Sequence, residues 1–339
     1  MVGESLYMDK NVKVKVSIVM TAYNSERYIA ETIRSILEQT YSNFELIIVD
    51  DGSNDSTVDI INSFQDDRII LIRNRINSGI CFSSNRGIEA AKGEYIARID
   101  SDDICHKDRI EKQVIYLDMH NNIFMCAGSI NKFKSGSKKN NKLDLGQNNE
   151  EIKFRLMYSN PICHSTVMFR RKEYISMLYC YKKYVHSQDY YLWTNFLADG
   201  KKVVILSDCL VDYRENEFGI TAVNGEINNN IEALEIRKEY ISKMIHNKDN
   251  ATILLDAILG NIKKYQFEEY YNSIKYWASI CFVGGETKQY IQEFVYDVMI
   301  KANEVKISHF FDAIRYGCFD IRFILSKRGL KAFCHCLIA

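Results

Sequence analysis

The sequence predicts an α/β protein, in which a mostly parallel, Rossmann-like central sheet covered by helices precedes a mainly α-helical C-terminal region. Three observations carry this expectation. Between residues 14 and 103, short apolar runs rich in β-branched residues alternate with longer stretches of helical period. The carboxyl ends of those runs gather polar and acidic residues. Beyond about residue 225 the pattern changes to helical periodicity, as in IEALEIRKEYISKMI.

The strands are predicted at VKVSIVM (14–20), FELIIVD (44–50), IILI (69–72) and EYIARI (94–99). Ser25 opens a first helix whose Tyr28, Ile29, Ile33, Ile36 and Leu37 repeat on one face, and Asp55 or Ser56 opens a second, TVDIINSF. A third helix over about 82–92 stops at Gly93, read as a left-handed cap. The lysine-, asparagine- and glycine-rich stretch 132–149 predicts an exposed loop. After Pro161, ICHSTVMFR alternates like a strand; Ser187 caps QDYYLWTNFLADG, and KKVVILSDCLVDYR reads as one strand or two. The domain boundary is placed at 225, giving domains 1–225 and 226–339.

A chain of 339 residues carries a prior of about two domains. Lysine plus arginine equal aspartate plus glutamate, 44 against 44, so no global field draws nucleic acid to it and any anion needs a local site. The N-terminal MVGESLYMDKNVKVK lacks the pattern of a secretory signal, and no run of 18 apolar residues occurs, which predicts a cytoplasmic protein. Ten cysteines at uneven spacing, without a CxxC pair, read as reduced and mostly buried thiols.

In such sheets ligands bind where the strands end, because loops and positive helix N-termini converge there. The four strand ends are Thr21-Ala22-Tyr23-Asn24, Asp50-Asp51-Gly52-Ser53, residues 74–79, and Asp100-Ser101-Asp102-Asp103, all expected to line one crevice. Three carboxylates within four positions repel one another. A divalent cation, Mg2+ or Mn2+, held through Asp100 and Asp102 would remove that penalty and stabilise charge on a departing diphosphate. The other reading of the triplet is an acidic loop leading into a helix near Lys107 and Asp108.

The ordered set SIVMTAYN, SILEQTY, FELIIVDDGSNDST and NSGICFSSNRGIEAAKGEYIARIDSDD resembles the family 2 glycosyltransferases of bacteria. The resemblance is strong over about 14–115, can be followed to Thr221, and is absent from the C-terminal third. It implies a GT-A nucleotide-sugar domain, with a nucleotide-diphosphate sugar donor of uridine type and a saccharide or lipid-linked acceptor. Thr21 and Tyr23 would bracket base and ribose; Asp51 would read the base, its other reading being turn formation. Asp100 and Asp102 match the family's acidic metal and ribose motif, with Asp102 the leading metal ligand and Asp103 beside it.

Asp189, in SQDYYLW, matches the family's acidic motif and would act as base on the acceptor hydroxyl; its other reading is a first-turn helix aspartate. Gln188 stands where an acid is common. His164 falls in a region near acceptor and diphosphate in relatives, or is a structural histidine. Arg214 matches a segment that closes over the donor, where it could pair with phosphate, although the histidine often found after it is replaced by Glu215-Asn216. The implied reaction is inverting transfer in cell-surface polysaccharide synthesis.

Two other functions compete with this reading. A sugar nucleotidyltransferase needs a glycine-rich phosphate loop where this chain has TAYNSER. A non-catalytic nucleotide-sugar-binding scaffold draws its support from Gln188. Residues 305–339 interleave aromatic and basic side chains, which suits either peripheral contact with the inner face of the cytoplasmic membrane or cover for a core or partner helix.

Overall fold

The computed structural model describes residues 13–134, 141–143, 147–181, 184–216, 225–259, 266–282 and 287–301, with 313, 318, 328, 331 and 332. In chain order the first half runs β1 (Val16–Ala22), α1 (Ile29–Leu37), β2 (Phe44–Asp50), α2 (Thr57–Asn62), β3 (Ile69–Arg73), α3 (Ile80–Ala90), β4 (Tyr95–Asp100), β5 (Ile104–Cys105), α4 (Arg109–Met119), β6 (Met125–Phe133) and β7 (Asn141–Leu143). Next come α5 (Asn149–Arg155), a 3-10 turn at His164–Thr166, β8 (Met168–Arg170), α6 (Arg171–Ser176), α7 (Gln188–Ala198) and β9 (Val203–Arg214). Four helices follow, α8 (Gly225–Met244), α9 (Lys248–Ile258), α10 (Phe267–Cys281) and α11 (Lys288–Lys301).

The predicted α/β architecture is present. The sheet has the order β3-β2-β1-β4-β8-β6-β9-β5, with β7 added to β6. Its long ladders are the parallel ones, of seven, six, five and nine residue pairs, whereas each antiparallel pairing spans two or three. Strands β1 and β2 are apolar on both faces because helices cover both; Ile18, Met20, Leu46, Ile48, Ala97 and Ile99 form one core with Ile29, Ile33 and Ile36 of α1. In register, Ala22 lies beside Asp50 and Thr21 beside both Val49 and Asp100, so the polar strand ends are level.

Three expectations change. Part of the stretch read as a loop is strand, since Lys132 and Asn141 pair across β6 and β7. Only the end of ICHSTVMFR is extended: Thr166 Oγ1 bonds the Cys163 carbonyl at 2.8 Å and curls His164–Thr166 into a turn. Gly93 is not a left-handed cap; a Cβ there would lie 2.5 Å from the Ser17 amide, so glycine serves close approach to β1. All eight described cysteines are free, four of them buried and four half-buried.

The chain divides into two compact units. The first comprises Met1–Gly146, Ile162–Leu192 and Lys202–Glu226, and the second Gln147–Pro161, Trp193–Lys201 and Ile227–Ala339. In the second, α5 is the hub: Phe154 packs on Phe294, its carbonyl accepts the Trp277 indole at 3.3 Å, and the Lys153 carbonyl accepts the Tyr240 hydroxyl at 3.0 Å. Among the described residues no helix is long and apolar enough to cross a membrane. The tail read for membrane contact lies outside the described residues apart from five isolated positions.

Candidate active site

All the candidate residues belong to the first unit. Asp100 ends β4, and its carboxylate is held by Arg98 Nη2 at 3.1 Å and by Ser165 Oγ donating at 3.0 Å, with His164 Nδ1 3.9 Å away. Burial alone would raise the Asp100 carboxyl, but the Arg98 guanidinium overcomes this and holds it below the usual carboxylate range. Arg98 is itself only 1% exposed; it also donates to Thr21 Oγ1 at 2.7 Å, which joins the ends of β1 and β4 through one cation. Tyr23, just beyond β1, is exposed, and its carbonyl accepts from Ser25 Oγ, which also meets Ser101 Oγ at 2.8 Å.

Asp102 and Asp103 have a different environment. The Asp102 carboxylate accepts one bond, from Asn216 Nδ2 at 2.9 Å, and burial, aided by the negative Asp100, raises its proton affinity. Asp103 is fully buried; Oδ1 accepts from the Arg214 amide at 2.8 Å, while Oδ2 has no hydrogen-bond partner. Burial, then Asp100 and Asp102, push it well above the ordinary range. The three carboxyls share one turn and would offer oxygen ligands to a hard divalent cation, but among the described residues their oxygens do not converge within the 4.8 Å that a single ion would need.

Arg214 ends β9 and is buried. Its guanidinium donates to the Asp102 carbonyl at 2.8 Å and to Glu31 Oε2 at 2.6 Å, and it stacks between the rings of Tyr28 (4.3 Å) and Phe133 (4.5 Å). The side chain expected to face phosphate is thus engaged in holding the acidic turn.

Asp51, also buried, accepts from Asn74 Nδ2 at 2.6 Å, the Ser78 amide at 2.9 Å and the Gly79 amide at 2.8 Å, fastening the loop that leads into α3. Gly52 faces the same loop with φ +77°, where a Cβ would sit 2.8 Å from the Ile76 carbonyl carbon. His164 Nε2 meets the Tyr181 hydroxyl at 2.6 Å, and burial lowers the imidazole to about 3, so it is neutral at physiological pH. Asp189 lies in the first turn of α7, accepting the Tyr190 amide at 2.7 Å, and contributes negative potential at Tyr181. The Tyr181 segment is bound to α3: Asn85 exchanges two bonds with the Tyr181 backbone, each 2.9 Å, and Cys81 Sγ donates to the Tyr184 carbonyl at 3.1 Å.

The strand ends therefore bring together Thr21, Asp100, Asp102, Asp103, His164 and Arg214 through the contacts of one network, with Asp51 on the neighbouring strand end and Asp189 on the Tyr181 side. Arg98, Ser165, Glu31, Asn216 and Tyr181 complete it without having been singled out. For Arg98 a signal exists: an arginine inside the apolar run YIARI is buried with a partner or not at all.

The family model for glycosyl transferase family 2 matches residues 17–178. The chain is 30% identical over 258 residues to the UDP-Glc:alpha-D-GlcNAc-diphosphoundecaprenol beta-1,3-glucosyltransferase WfgD of Escherichia coli, covering 75% of this chain and 96% of the relative. It is 35% identical over 189 residues to the enzyme WfaP of the same organism and description, covering 55% and 72%. Among solved structures, S. aureus TarS 1-349 in complex with UDP-GlcNAc aligns with TM-score 0.60 at 15% identity, over 95% of this chain and 89% of that one, and so shares its fold. With the parallel α/β sheet, the acidic strand end and relatives matched over most of their length, the chain is a transferase belonging to glycosyl transferase family 2.

Proposed function

We propose that the protein transfers a sugar, with inversion, from a nucleotide-diphosphate donor of the UDP class to a hydroxyl of a saccharide or lipid-linked saccharide, in the synthesis of a cell-surface polysaccharide. The observation that carries the reading is the acidic turn: three carboxyls, two of them with raised proton affinity and one with an unpartnered buried oxygen, at the level strand ends of a nucleotide-binding sheet. The UDP-Glc donor and diphosphoundecaprenol-linked acceptor of WfgD and WfaP support the donor and acceptor classes.

Asp102 and Asp100 are the residues that would hold Mg2+ or Mn2+. When bound, such an ion supplies Lewis-acid stabilisation of the charge that grows on the leaving diphosphate. Thr21 and Tyr23 flank the nucleoside. Asp51, whose carboxylate has used three of about four acceptor positions, keeps one for an imide N–H of the base and meanwhile sets the loop beneath it. His164, neutral, offers a hydrogen bond without adding charge. Asp189 takes the acceptor proton as the new bond forms, and a single displacement of this kind inverts the anomeric carbon. Arg214 acts as a positioning residue for Asp102 and Asp103 rather than as a phosphate ligand.

The test is a screen of nucleotide sugars for hydrolysis or transfer, with Mn2+ or Mg2+ titrated in and chelated out. Turnover should follow the ion and fall by about a hundredfold or more in Asp102→Asn, in line with loss of a charge-stabilising group. Turnover indifferent to ion and chelator would overturn the reading, and nucleotide binding without turnover on any acceptor would favour the scaffold alternative.

A further inference from the structure

A second cluster of donor atoms lies at the β5 edge of the sheet, away from the acids at the strand ends. His106 directly follows β5, while Cys209 and Asp212 lie on β9. His106 Nε2 stands 2.9 Å from Asp212 Oδ1 and 3.9 Å from Cys209 Sγ, and the three ligand atoms fall within 4.8 Å of one another. Residues three apart on a regular strand point to opposite faces. Here the β6–β9 register slips between Gly128 and Ser129 and again between Ser129 and Ile130, and such bulges re-aim a side chain so that 209 and 212 can share a face.

A histidine–aspartate ion pair engages two of these groups, and the Cys209 sulfur, which also lies 3.8 Å from the Val211 carbonyl, is the third donor atom. The same His106 nitrogen faces both the Asp212 carboxylate and the Cys209 sulfur. Ligands of a tetrahedral zinc ion, at about 2.0 to 2.3 Å from the metal, lie roughly 3.3 to 3.8 Å from one another; the spacings of 2.9 and 3.9 Å fall just below and just above that range, so the His106–Asp212 pair would part slightly to admit the ion. Imidazole, thiolate and carboxylate form a donor set for zinc-like ions rather than for Mg2+. Asn131 Nδ2 donates to Asp212 Oδ1 at 3.0 Å, an outer contact that orients the carboxylate, and all three ligands are half-exposed, so an ion can enter and keep a water. Nearby, Lys112 is taken up by Asp108 and Asp208 at 2.8 and 2.6 Å.

We propose that His106, Cys209 and Asp212 bind a zinc-class divalent ion, a site separate from the acidic turn. Binding exchanges the Cys209 thiol proton, released to solvent, and the His106 Nε2 proton, released or moved to Nδ1, for a sulfur–metal and a nitrogen–metal bond. Its effect is to cross-link β5 to β9. β5 starts one residue after Asp103, and β9 ends at Arg214, whose amide holds Asp103. Occupancy would stiffen the frame around the acids.

The test is titration of the metal-stripped full chain with Co2+. One equivalent should produce a near-ultraviolet sulfur-to-cobalt charge-transfer band that Zn2+ displaces, and Zn2+ should raise the melting temperature. The near-isosteric Cys209→Ser should lose the band while keeping the native circular dichroism; His106→Ala should lose it too. Asp102→Asn should keep it, which separates this site from the ion of the sugar-transfer reading. No band in the wild-type protein, or a band that survives in Cys209→Ser or His106→Ala, overturns the proposal.

Discussion

Replacing Arg214 by lysine separates two roles that a buried cation at this place could have. The variant keeps a positive charge and, because the bond to Asp103 comes from the backbone amide, keeps that contact as well. It loses the planar fork that reaches the Asp102 carbonyl and lies between Tyr28 and Phe133. A hydrogen bond of this kind is worth about 1 kcal/mol, and a desolvated cation–π contact from about 0.5 to 2 kcal/mol each. The Glu31 side chain is 55% exposed, so its pair adds no more than about 1 kcal/mol, part of which lysine recovers. The expected loss is therefore about 2 to 5 kcal/mol of stability, read as a lower urea midpoint with unchanged slope. Turnover should fall through kcat and through a weaker response to Mn2+, as Asp102 loses its hold, with donor KM little changed. If stability is untouched and donor KM alone rises, the guanidinium meets phosphate and the positioning argument is wrong.

Three further outcomes are expected. Asp189→Asn, nearly isosteric, should lower kcat about 10² to 10⁴-fold with nucleotide affinity retained by calorimetry; an unchanged kcat would remove Asp189 as the base. Gly52→Ala meets backbone at Ile76 and Asn77 and is strained at φ +77°, so thermal melting should show about 2 kcal/mol or more lost, together with weaker UDP binding through the loop that Asp51 fastens. His164 is held neutral down to about 3, whereas in the unfolded chain it takes a proton near 6.5. Stability from this group is thus complete above pH 6.5 and lost as pH falls towards 3, by up to about 1.4 kcal/mol per pH unit. Urea melts between pH 6.5 and 5 should show a shallower decline in His164→Gln than in wild type; equal declines would refute the assignment.

Much of the first sheet was legible because its strands are buried on both faces: FELIIVD spans the same residues in the structure, and the other three strands begin or end within two residues of their predicted limits. The acidic turn was legible for a simple reason too, since three like charges in four positions demand an explanation. What local sequence does not encode is partnership at a distance. Arg214 meets Glu31 across 183 positions, and His106 meets Asp212 across 106. No spacing rule points to such pairs, and the bulges that turn Cys209 towards Asp212 depend on β6 as well as on β9. The stretch Gln147–Pro161 shows the same dependence: its apolar face belongs to the second unit, and only packing reveals where Phe154 goes.

The bonds from Cys81 and Asn85 to the backbone of Tyr184 and Tyr181 have a mechanical consequence. They rivet the helix rooted in the Asp51 loop to the stretch whose phenol touches His164, so the Asp51 side and the His164 side of the strand ends are joined by one pin. A bulky adduct on the half-buried Cys81 thiol would pry at that pin, and a disturbance far from the reacting atoms would be felt on both flanks at once.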